Sequence, residues 1–214
     1  MSISIGILEV TGFTPAMVAL DAMEKAADIE VVQAELNDFL GTVIKIGGTV
    51  DAVAAALAAG REQAARFGVE PVITLLTNPD PSAMQIGILS RQERSPLLEQ
   101  NVVLGDPKST TPTPEETPGT KMADAPQFAL GFIETQGFTA VFEAIDSACK
   151  AANVEVLAKE KLGGGYITVV IKGDVAAVSA AIDAGKARVG SLGKLIAAHV
   201  IARPSSNVLA LLPK

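Results

Sequence analysis

The sequence predicts an α+β protein made of two tandem units, each of order βαββαβ. Three observations carry that expectation: the chain repeats itself at one fixed offset, each repeat alternates β-branched runs with Ala-rich runs in the same order, and a Pro/Thr-rich stretch separates the two. Gly6-Ile-Leu-Glu9-Val-Thr-Gly12-Phe13-Thr14 returns as Gly131-Phe-Ile-Glu134-Thr-Gln-Gly137-Phe138-Thr139. Asp21 to Val31 returns as Asp146 to Val156, Gly48-Thr-Val50 as Gly173-Asp-Val175, and Pro79 as Pro204. Every match falls at an offset of 125 residues, and Ile5 to Pro79 laid on Leu130 to Pro204 gives about 24 identities in 75 positions without an insertion. Alanine bias raises chance matches, but it does not align Gly, Phe, Asp, Lys and Pro at a constant shift.

The elements follow in order. Ile3 to Val10 alternates as a first strand. Thr14-Pro15 then reads as a helix start, with a hydroxyl cap and Pro at the first helical position. Phe13, Met17, Leu20 and Ala27 recur near helical spacing, as do Phe138, Phe142, Ile145 and Ala152 in the second repeat. Ile29 to Leu36 and Thr42 to Ile46 form two strands around a tight loop. Thr49 and Asp174 are expected caps of a second, Ala-rich helix that presents Val53, Leu57 and Ala64. Val72 to Leu76 closes the sheet, and Pro79 or Pro204 ends it. This order implies a ferredoxin-like antiparallel four-stranded sheet with both helices on one face. The other sheet face is left short of cover, as in a self-assembling module.

The domain division is residues 1–89, a linker over 90–127, and 128–214. Asp106 to Gly119 is rich in Pro and Thr and lacks apolar residues, which predicts an extended, solvated linker. Ser90 to Leu104 is expected to cover part of the first repeat's surface.

Composition excludes several functions. A net charge of −7 argues against a general nucleic-acid binder. Half the residues are apolar (49%), only 4% are aromatic, and mean hydropathy is +0.37. The core must therefore be aliphatic, with much apolar surface destined for interfaces. No apolar run approaches the roughly 18 to 20 residues of a spanning helix, so no membrane association is expected. Met1 to Gly6 lacks a cationic leader, and the single cysteine, Cys149, allows no internal disulfide. Cytoplasmic residence is the expectation. Charge is unevenly shared: residues 1–88 carry −7, 89–127 carry −2 and 128–214 carry +2. Complementary halves favour alternation of unlike units.

Taken together, G-x-x-E-x-x-G, D-A-x-x-K-A-A-[DN]-[IV], G-x-V-x-A-V-x-A-A-[IL]-x-A-G and the closing H-V-I-A-R-P resemble the bacterial microcompartment (BMC) shell domain. The second repeat matches more closely, through Lys161 to Gly165, Gly173-Asp174-Val175 and His199 to Pro204; the first departs in its loop and at Thr77-Asn78-Pro79. The resemblance spans both repeats, about 165 residues, and is to the non-permuted tandem class. It implies a structural shell protein whose homotrimer forms a flat pseudohexameric tile. Its expected partners are other shell proteins (hexamers and pentamers) and small metabolites crossing a central pore.

By the same resemblance, the loop between the second and third strands lines the pore: Asn37, Asp38, Phe39 and Leu40 in the first repeat, Leu162, Gly163, Gly164 and Gly165 in the second. Phe39 aligns with Gly164, so three phenyl rings and three Asp38 carboxylates are expected to narrow the opening or disfavour anions. Lys25 and Lys150 are the expected tile-edge lysines, with Arg203 beside them in repeat 2 and Asn78 in its place in repeat 1. An isolated helix lysine is ordinarily a solvated charge, but this one recurs in both repeats.

No catalytic residues are expected. Gly163 to Gly165 lies between two strands and so is not a phosphate-binding loop. His199, whose counterpart is Thr74, has no partnering nucleophile and reads as structural. Glu9 and Glu134, in equivalent strands, give no evidence of an acid/base pair. Some tandem shell proteins hold an iron–sulfur cluster through a pore-loop cysteine; neither loop here contains one, so no cofactor or metal is expected. The competing readings are a duplicated ferredoxin-like enzyme and a small-ligand regulatory protein of similar topology.

Overall fold

In the computed structural model, residues 4–36, 40–81, 83–84, 102–104 and 128–213 are described. The first repeat runs β1 (Ser4–Thr11), α1 (Phe13–Ala26), β2 (Glu30–Leu36), β3 (Gly41–Gly48), α2 (Val50–Ala65) and β4 (Val72–Leu76). A short strand, β5 (Val102–Leu104), follows. The second repeat runs β6 (Ala129–Gln136), α3 (Phe138–Ala151), β7 (Glu155–Gly163), β8 (Tyr166–Gly173), α4 (Val175–Val189) and β9 (Lys194–Ile201), and a one-turn helix α5 (Ser206–Ala210) ends it. Both repeats thus fold as βαββαβ with antiparallel sheets, in the order β4-β1-β3-β2 and β7-β8-β6-β9. One irregularity also repeats. The β2/β3 pairing shifts register between Val31 and Gln33, and β7/β8 shifts between Val156 and Ala158, 125 residues on.

The first sheet gains a fifth strand. β5 pairs antiparallel with the outer edge of β2, Gln33 opposite Leu104 and Glu35 opposite Val102. It satisfies backbone groups that would otherwise form an open sheet edge. Among the described residues, β7 has no such neighbour.

The expected caps of the second helices are present. Thr49 accepts a hydrogen bond from the Ala52 amide at 3.3 Å, and Asp174 one from the Ala176 amide at 2.9 Å. Thr14, however, is not the cap of α1. Gly12, with φ of 98°, takes the cap position, and the helix starts at Phe13, so the Thr14 side chain already lies within the first turn.

Within each repeat the helices cover one sheet face. Val53, Leu57 and Ala64 of α2 are buried as the spacing predicts. The opposite face of the second sheet is not bare: Leu130, Phe132, Ala158, Val170 and Ile201 join Leu8, Met17, Leu20 and Met23 in one apolar cluster. α1 is therefore packed between its own sheet and the outer face of the second sheet, and Phe13, Met17 and Leu20 are at most 3% exposed. α3 has no comparable cover. Phe138 and Phe142, expected by their spacing to be inward, are 47% and 49% exposed. Identical periodicity gives opposite burial because α1 is covered by the other repeat and α3 is not.

Candidate functional site

Two places collect the residues singled out by the sequence: the loops between the second and third strands, and the joint between the repeats. Asn37, Asp38 and Phe39 of the first loop lie outside the described residues, as do Met1 to Ile3 and the Asp106 to Gly119 stretch. Leu40 is described, and its backbone is unusual. At φ of 64° it is the one non-glycine in the left-handed region among the described residues, at the position that Gly165 occupies in the second repeat with φ of 82°. The hydrogen bond that fixes each loop is also repeated: Gly12 donates to the Leu40 carbonyl at 2.8 Å, and Gly137 to the Gly165 carbonyl at 2.9 Å.

The structure brings the two loops together. A Cβ added at Gly164 would lie 3.0 Å from Leu40 Cδ2, and one at Gly163 would lie 3.9 Å from it. Gly163, Gly164 and Gly165 all have positive φ, which lets the chain turn tightly beneath the Leu40 side chain. Gln136 Nε2 donates to the Gly164 carbonyl at 3.3 Å, tying the glycine loop to β6. Leu162 is partly buried against the first repeat's core.

The joint between the repeats rests on a carboxylate that strand equivalence alone left without a role. Glu134, on the outer face of β6 and fully buried, accepts hydrogen bonds from the amides of Phe13 and Thr14 at 3.1 and 2.8 Å. It therefore caps α1 from the other repeat, taking two helix-terminal donors that no local side chain reaches. Burial pushes its pKa up, opposed by the Thr14 and Phe13 amides that favour the ionised form. Glu160 of β7 is likewise raised by burial, with the Lys161 amide opposing. The available signal was the recurrence of a glutamate in G-x-x-E-x-x-G.

A polar clasp closes the other end of the joint. Ser205 donates its amide to Asp21 Oδ1 at 3.2 Å and its hydroxyl to Glu24, while Asn207 Nδ2 donates to Glu24 Oε1 at 2.5 Å. Between these ends, His199 of β9 sits edge-on to Phe67, with ring centroids 5.6 Å apart. Burial lowers the His199 pKa, against the opposing charge of Asp21. Its role in the described structure is packing at the joint.

The expected edge residues are all on the surface. Lys25 pairs with Asp21 at 2.5 Å, one helical turn back, and Lys150 pairs with Asp146 in the same way. Asp146 raises the Lys150 pKa. Arg203 and Asn78 are exposed. Among the described residues no cluster of His, Cys, Asp and Glu has metal-binding geometry, and no helix is long and apolar enough to cross a membrane.

The repeated unit has counterparts in known proteins. The model of the BMC domain matches twice, at residues 4–80 and 129–204. The bacterial microcompartment shell protein PduA of Citrobacter freundii is 50% identical over 88 residues, covering 41% of this chain and 95% of the relative. The major carboxysome shell protein CsoS1A of Halothiobacillus neapolitanus is 46% identical over 94 residues, 44% of this chain and 96% of the relative. The shell protein EutM of Escherichia coli is 45% identical over 85 residues, 40% and 88% of the two chains. Each of these alignments spans less than half of the chain and nearly all of a relative, as a duplicated domain requires. With both repeats matched, the chain belongs to the BMC-domain family of bacterial microcompartment shell proteins and carries two such domains in tandem.

Proposed function

We propose that this chain is a non-catalytic building block of a bacterial microcompartment shell in the cytoplasm. Three copies close into a flat pseudohexameric tile of about 66 kDa, three times the 22.0 kDa of the chain. A small central pore passes metabolites. It is lined by Asn37, Asp38, Phe39 and Leu40 from the first repeats, alternating with Leu162, Gly163, Gly164 and Gly165 from the second. The observation that carries the reading is the meeting of Leu40 with Gly164. Loops at equivalent positions of two homologous domains lie side by side within one chain, and three such pairs make a ring of six.

Lys25, Lys150, Arg203 and Asn78 form the tile edges, where hexameric and pentameric shell proteins join. Their surface placement supports this, as does the recurrence of the Asp–Lys pair one turn apart in both repeats. Asn78 in place of Arg203 makes alternate edges unlike. Negative-stain microscopy of the purified protein tests the reading: it predicts ordered sheets or tubes. Lys150→Asp abolishes the sheets while the trimer persists. A wild-type trimer that never tiles contradicts the shell role, and a Lys150→Asp variant that still forms sheets removes this lysine from the tile edge.

A further inference from the structure

The same sheet edge is finished differently in the two repeats. At the edge of β2, Val102–Leu104 adds a strand opposite Gln33, Ala34 and Glu35. The equivalent stretch of β7 is Ala158, Lys159 and Glu160, and among the described residues β7 is the last strand of its sheet. Exposure follows the difference. Val31 of β2 is 7% exposed, whereas its counterpart Val156 is 48% exposed and the adjoining Leu157 37%. Lys159 and Lys161, both exposed, stand where the first repeat has Ala34 and Leu36. They are held at the edge over the Phe142 and Phe138 rings, 5.9 and 5.2 Å from the centroids. The polar contacts that join the two repeats run through α1, β6 and the residues after β9, and leave the β2 edge to β5.

We infer that the β7 edge is a docking site for an extended, acidic segment of a different protein, which adds to the second sheet as an antiparallel strand in the way that Val102–Leu104 adds to the first. Stoichiometry points to an outside partner. Each chain has two such edges and, among the described residues, one short strand to close them, which is used on β2. Any number of copies therefore leaves one edge per chain to be filled by something else. Charge selects the chemistry of that partner. Lys159 and Lys161 make the rim of the edge basic, which favours acidic side chains on the incoming segment. The same lysines repel their counterparts in a second copy and so oppose the pairing of two β7 edges with each other. Backbone hydrogen bonds supply most of the affinity, and the exposed Val156 and Leu157 add apolar contact.

The probe is a synthetic peptide with the sequence of residues 99–106, Glu-Gln-Asn-Val-Val-Leu-Gly-Asp, blocked at both ends. It contains the strand that closes the β2 edge and carries a net charge of −2. The peptide is added in excess to the full-length protein, and hydrogen exchange of the backbone amides is followed. Exchange slows within Ala158–Glu160 at those amides that do not bond to β8. The slowing is lost when the peptide is N-methylated at both valines, because one of two successive amides must face the edge. Lys159→Glu combined with Lys161→Glu weakens binding by about fivefold at low ionic strength, while exchange in β6 and β8 stays unchanged and reports an intact fold. No slowing in β7, or slowing in β2 alone, overturns the docking site. Equal slowing by the N-methylated peptide overturns strand addition, and equal binding by the double variant overturns the acidic partner. Amides of Ala158–Glu160 that are already slow in the protein alone and quicken on dilution assign the edge to another copy of this chain and overturn the outside partner.

Discussion

Glu134 shows how one buried carboxyl joins two domains. Its two oxygens take the amides of Phe13 and Thr14, so Glu134→Ala leaves two buried donors without an acceptor and costs about 1–3 kcal/mol of stability, read as a lower urea midpoint. The pH dependence has a defined sign. Burial raises the folded pKa above the unfolded value, so between the two values the folded chain binds more protons than the unfolded one. This group's contribution is greatest below the unfolded pKa and is lost as pH rises through the folded value. The stability of wild type relative to Glu134→Gln therefore increases as the pH is lowered through that interval; a difference that shrinks contradicts the raised pKa. On the proposed pore reading, in which the loop bearing Phe39 lines the opening, Phe39→Gly is expected to increase metabolite flux through reconstituted shells. Unchanged flux removes Phe39 from the constriction.

At the scale of elements, the close packing of paired helices is set by two equivalent glycines with different neighbours. A Cβ at Gly185 of α4 would lie 2.5 Å from Ile133 Cδ1 and 2.8 Å from the Ala144 backbone oxygen of α3. At Gly60 of α2, the nearest atoms belong to the flexible Met23 side chain, at 2.6 and 2.7 Å. Gly185→Ala consequently forces the helices apart and destabilises by about 1–3 kcal/mol, whereas Gly60→Ala is the milder change; thermal unfolding of the two variants compares them directly. Much at this scale was legible in the sequence. Val72–Leu76 is the closing strand as read, and Thr49 and Asp174 cap α2 and α4, because strand pattern and capping are local. The start of α1 was misplaced by two residues because Gly12 and a distant carboxylate replace the hydroxyl cap. The burial difference between Met17 and Phe142 was not legible at all, since it depends on which element arrives from the other repeat. Nor did residues 102–104 announce by alternation that they pair with β2.

For the whole molecule, duplication accounts for a composition at first at odds with its size. Two thin aliphatic domains share one cluster across their joint, and the exposed phenylalanines Phe138 and Phe142 lie on α3, the helix that the first repeat does not cover. The constant offset of 125 residues made the family, the fold and the loop equivalence readable from the sequence. The joint itself was not readable, because Glu134 acts on an amide pair more than 100 residues away. One chain thus contains one complete joint between its repeats, while the α3 side of the second repeat is left without cover from the first. The mass of the purified, full-length protein at micromolar concentration, measured by analytical ultracentrifugation, tests the proposed trimer most directly. A single species of about 66 kDa is the predicted result; a stable single chain of 22.0 kDa would contradict the account.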